Sequence, residues 1–168
     1  LYDGKERFNI LRENTYFYDL LKVYYGAVQI VVGALMARRQ SELASLKVGE
    51  CIDENTSSLI FKQSKSTKGI FGTKNTLYLP IDKLGIEMIQ NIEKIHINRQ
   101  GEALFSLPQI KNIFLFKSSV DNTNYSENID FFIDYIEGEL KDGKRYYIRQ
   151  HQLRRFFAMC FFWGSGFG

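Results

Sequence analysis

Between Tyr16 and Ala37 the residues Phe17, Leu20, Leu21, Tyr24, Val28, Val31 and Leu35 recur at threes and fours. That spacing predicts a largely buried helix or helix pair, around which the rest of a domain must be built. Asn14 or Thr15 is placed to cap it. Its most apolar stretch, Val28 to Ala37, is too short to span a bilayer and leads straight into Arg38 and Arg39; no secretory signal pattern opens the chain. A cytoplasmic protein with no membrane partner is the expectation. Leu1 is no natural start, so the sequence reads as a fragment of something longer.

A chain of 168 residues with 45% apolar and 24% charged residues can bury one good core, which predicts a single domain over 1–168. Most of its 14 Phe and 10 Tyr lie in apolar stretches, where core packing is the default. The formal charge of +3 permits nucleic-acid binding without requiring it, and its distribution says more. Lys141, Lys144, Arg145, Arg149, Arg154 and Arg155 stand against the single acid Asp142, a local field that suits a phosphate backbone or a solvated surface. Cys51 and Cys160 are far apart and lack a C-x-x-C or His-rich pattern, so neither a zinc site nor a disulfide framework is indicated.

After the first helix, Ser41 to Leu46 reads as a short helix with Arg39 near its N-terminus. Strands are predicted over Ser58–Gln63 and Thr76–Ile81, joined by a polar connection, Ser64–Asn75, that carries Lys65, Lys68 and Lys74. Helical spacing returns over Asp82–Ile97; His96, without a partner motif, reads as a surface histidine at its end. Ser106–Ser118 fits helix or strand. Asp121–Tyr125 reads as a polar turn, Ser126–Ile136 as a capped helix, Asp142-Gly143-Lys144 as a turn, and Gln152–Phe162 as a helix stopped by Gly164, Ser165 and Gly166. Trp163 is expected in core or helix-end packing.

Two motifs carry chemistry. One is Ala37-Arg38-Arg39-Gln40-Ser41-Glu42-Leu43, the other His151-Gln152-Leu153-Arg154. An arginine stays charged and offers a planar fork of donors matched to two phosphate oxygens, so a pair can stabilise a pentavalent phosphate without a metal; a neighbouring histidine can move protons.

In order and setting these boxes resemble the catalytic domain of the tyrosine recombinases, or phage integrases, over roughly Tyr16 to Phe162. Arg39, followed three residues later by Glu42 and then by Leu43 and Leu46, is similar to the first box; that spacing selects Arg39 over Arg38. Lys65, ahead of Leu77-Tyr78-Leu79-Pro80, resembles the hairpin lysine, with Lys68 as the alternative if the register differs. His151-Gln152-Leu153-Arg154 followed by Arg155-Phe156-Phe157-Ala158 resembles the second box.

The resemblance implies an α+β, mostly helical integrase-like domain with a small antiparallel sheet or hairpin near residues 49–81. It further implies double-stranded DNA as partner, no cofactor, an upstream DNA-clamping domain and a C-terminal tail in the parent, and a tetramer on DNA. In that chemistry a tyrosine attacks a DNA phosphate and releases a 5′ hydroxyl. Arg39 and Arg154 would hold the non-bridging oxygens, Lys65 would protonate the leaving oxygen, His151 would assist proton transfer, and Glu42 would orient its neighbours. Arg38, Lys68, Arg149 and Arg155 are candidate phosphate contacts. The nucleophile should follow the second box by some tens of residues, and no tyrosine follows Tyr147, so this chain alone is expected not to cut DNA. A type IB topoisomerase uses a similar constellation. A non-catalytic duplex-binding module, a decayed integrase, is an alternative of another class, and a helical domain of unrelated function with fortuitous motifs is the third.

Overall fold

The periodic apolar run forms one uninterrupted helix, α1 (Phe17–Met36), in a computed structural model that describes residues 13, 16–62, 76–107, 122–138 and 140–166. Leu21, Tyr25, Val28, Val32 and Met36 are buried along it together with the small residues Gly26 and Gly33. The helix is longer than its most apolar part suggested. By length and composition it could cross a membrane, but 44% of that window is buried within the fold, where α1 is the central packing element. Tyr16 occupies the N-cap without a side-chain cap bond, and the expected caps Asn14 and Thr15 lie outside the described residues.

At its C-terminus α1 turns through Ala37, whose φ of 50° lies in the left-handed region, and the chain re-enters a single helical turn, α2 (Gln40–Leu43). Leu43 and Leu46 are buried, as their spacing required. A three-stranded antiparallel sheet follows in the order β1 (Ile52–Asp53), β2 (Ser58–Lys62), β3 (Thr76–Pro80). Its register pairs Leu59 with Leu79 and Phe61 with Leu77. Leu59 and Phe61 point into the core and Ile60 is less buried, the period-two pattern of a strand with one covered face. The strand β1 was not anticipated; it is two residues long, too short for any periodicity.

Asp82 caps α3 (Lys83–Ile95) by accepting from the Gly85 N–H at 3.1 Å, and Ile89 and Ile92 turn inward. His96, expected at the surface, is buried instead, with 1% of its area exposed. Its Nε2 lies 3.0 Å from the Tyr25 hydroxyl of α1. Phe105 packs edge-on against both Tyr25 and Tyr125, with centroid separations of 6.5 and 5.6 Å.

The expected polar turn ahead of Ser126 is already helical from Asn122, so α4 spans Asn122–Tyr135. Tyr125, Asn128 and Ile129 are spaced along one helical face and all are buried, so tertiary packing overrides the weak local helix preference of Asn-Thr-Asn. A two-residue hairpin, β4 (Leu140–Lys141) and β5 (Lys144–Arg145), turns through Asp142 and Gly143, both at positive φ as a primed turn requires. The last helix, α5 (Gln150–Gly164), packs on α1 through its first turn, where Gln150 and Leu153 are buried. Phe156, Met159, Phe161, Phe162 and Trp163 are exposed; Trp163, expected in packing, has 77% of its area open to solvent. The mostly helical α+β class is the one observed, with its larger sheet where the sequence placed it.

Candidate functional site

Both arginine boxes sit at helix beginnings, and the two are built alike. Arg39 is the N-cap of α2, and the Glu42 carboxylate, three residues on, reaches back to accept from the Arg39 backbone N–H at 3.1 Å. Arg149 is the N-cap of α5, and the Gln152 side-chain oxygen accepts from its backbone N–H at 2.7 Å. Each reach-back satisfies a backbone donor at the start of its helix. Arginine has no acceptor atom, so the side-chain half of each cap is supplied by Glu42 and Gln152 alone.

Glu42 is buried, with 2% exposure, and also accepts from Arg38 Nε at 3.0 Å. The Arg38 guanidinium is thereby held against the first box, 5.8 Å from the centre of the Phe61 ring. Arg38 is therefore a structural partner of Glu42 through its Nε. The Arg39 side chain projects into solvent and has no side-chain partner among the described residues.

The second box docks on the first from the other end of the sequence. Arg154 Nε donates to the Ala37 carbonyl at 2.7 Å, across 117 positions, so its side chain lies beside the turn that leads to Arg39. One of its five donors is used in this way; among the described residues its other donors meet no protein acceptor, and the residue is exposed. The Gln150 amide donates to the carbonyls of Gly33 and Arg38, each at 3.1 Å. Gly33 allows this approach, because a Cβ there would lie 2.3 Å from Gln150 Oε1. His151 is exposed on the first turn of α5, where the helix dipole favours an anion.

Arg149 is committed elsewhere. It forms a two-pronged pair with Asp130 of α4, through Nη1 to Oδ1 and through Nη2 to Oδ2 at 3.2 Å, and so anchors the start of α5. Tyr147 donates to Asp134 at 2.9 Å, which adds a second tie between α4 and the approach to α5. Arg155 is exposed and unpaired among the described residues. Lys65 and Lys68 lie outside the described residues. No cluster of potential metal ligands occurs among the described residues, and both cysteines are free.

Sequence reasoning singled out the arginine pair and His151 but gave no sign of Gln150 and its contacts. Its partners are backbone carbonyls, which leave no residue-type signal. No family model, curated protein or solved structure matches the chain.

Proposed function

We propose that the chain is the phosphodiester-handling part of a DNA strand-transfer enzyme of the tyrosine recombinase kind, acting on duplex DNA. The observation that carries this reading is the docking of Arg154 on Ala37. It brings the side chain of the second box to the turn immediately before Arg39, although the two boxes are separated by most of the sequence. A fortuitous pair of motifs has no reason to meet there.

In this reading the exposed side chains of Arg154 and Arg39 hold the non-bridging oxygens of one phosphate. They stabilise the charge that builds as the phosphorus becomes pentavalent. His151, one residue after Gln150, handles a proton at the same phosphate. Glu42 does no chemistry; it fixes Arg39 through the backbone and Arg38 through the ion pair.

The joining half of the reaction does not use a tyrosine nucleophile, which makes it testable on this chain. The substrate is a nicked duplex whose 3′ end carries a p-nitrophenyl phosphodiester beside a free 5′ hydroxyl. The 5′ oxygen attacks phosphorus, the P–O bond to the aryl group breaks, p-nitrophenolate leaves, and the 5′ hydroxyl proton passes to a basic side chain. The expected result is sealed strand and p-nitrophenolate in equal amounts. Arg39→Ala or Arg154→Ala should slow the reaction about a hundredfold. Lys65→Ala should slow it too, whereas Lys68→Ala should leave it within about twofold. Duplex binding with no acceleration over the spontaneous rate would leave only a DNA-binding module.

A further inference from the structure

We propose that Gln150 is a positioning residue that locks the two arginine boxes in register; the proposal rests on the strand-transfer reading above. Gln150 opens α5 and is buried, with 3% exposure. Its amide nitrogen spans two carbonyls, Gly33 in the last turns of α1 and Arg38 in the turn beyond it. Those carbonyls belong to the end of a helix, where intrahelical partners run out.

The left-handed Ala37 and the peptide leading into the extended Arg39 are therefore held by two clamps reaching over from α5. Gln150 fixes the carbonyl of Arg38 and Arg154 fixes that of Ala37. The same first turn of α5 presents His151 and Arg154 outward. One amide thus relates the backbone that aims Arg39 to the helix that aims the other two groups. The fit is close on both sides, since Gly33 leaves no room for a Cβ beneath the Gln150 side chain.

Substituting Gln150 removes both clamps of the amide but touches no group that meets the phosphate. Catalysis by positioning is steep in distance, so a small shift of Arg39 relative to Arg154 lowers rate more than binding. General loosening of the fold would not discriminate between the two.

The test compares the wild-type chain, Gln150→Met, Arg154→Ala and the double variant. Three readouts are taken: thermal melting, affinity for the nicked p-nitrophenyl duplex, and joining rate at saturating duplex. Methionine keeps the length and volume of the side chain and cannot donate. Expected for Gln150→Met are a folded protein, duplex affinity within about twofold of wild type, and a joining rate down about tenfold. In the Arg154→Ala background the same substitution should cost less than about twofold, because the register it protects is already useless.

An unchanged rate in Gln150→Met, or an equal drop in both backgrounds, would overturn the positioning role while leaving the strand-transfer reading intact. A wild-type chain that binds but does not join defeats the strand-transfer reading first, and that failure is distinct because it appears before any variant is made. If Gln150→Met does not fold, Gln150→Asn, which keeps the amide one methylene short of both carbonyls, takes its place with the same expectations.

Discussion

His96 closes α3 with its ring sealed against Tyr25, and this residue gives the fold a pH dependence of definite sign. Burial lowers its pKa from 6.5 to about 4; the charge of Arg99 acts in the same direction, and the backbone at Leu104 and Ser106 partly opposes it. The unfolded chain then binds a proton that the folded chain refuses between these values. Stability is fully present above about pH 6.5, falls as the pH drops through that window, and has lost roughly 3 kcal/mol by pH 4. Urea denaturation at pH 7.5, 6, 5 and 4 should show this decline, and His96→Gln should flatten it above pH 5. An equally steep decline in the variant would place its cause in the carboxylates. His96 gave no sign of this in the sequence, because the tyrosine it packs against lies 71 positions away.

Between elements, α1 and α4 approach closely at Gly26. A Cβ at this position would lie 2.1 Å from the Asn128 carbonyl oxygen and 2.8 Å from Phe132 Cβ. Backbone and a packed side chain cannot both retreat, so Gly26→Ala must push the helices apart. A loss of about 3 kcal/mol is expected, read as a lower denaturation midpoint with an unchanged slope; a neutral substitution would mean that α4 slides freely on α1. Periodicity predicted α1 and α3 well, because each has its own buried stripe. It placed the start of α4 too late, since Asn-Thr-Asn looks like a turn until Tyr125 is seen packed on Phe105. The paired strands were legible from their alternation, whereas β1 has only two residues and exists through its pairing with β2. The two boxes were readable as residue types in order. Their joining was not, because Ala37, Gly33 and Arg38 contribute carbonyls that every sequence possesses.

Across the whole molecule, α5 has two unlike ends. Its first turn is bound to α1 and carries His151 and Arg154, while its later turns expose Phe156, Phe161, Phe162 and Trp163. His151 and Trp163 are separated along the helix axis by about 18 Å, at a rise of roughly 1.5 Å per residue. The helix was predictable from its spacing, but the sequence could not show whether anything stands opposite those aromatics. Trp163 is the only tryptophan, so its fluorescence reports this end of the helix without a label. In the chain alone its emission should be that of hydrated indole and accessible to iodide. Adding duplex DNA at low salt should leave both properties unchanged, while a phosphate-dependent signal appears at the other end, for example as anisotropy of a labelled duplex. That binding should weaken with salt, its logarithmic slope falling by about one unit for Arg39→Ala. A blue shift or iodide protection of Trp163 on adding DNA would mean that the duplex lies along the aromatic end, and the phosphate site would then have to be placed away from the meeting of the two arginine boxes.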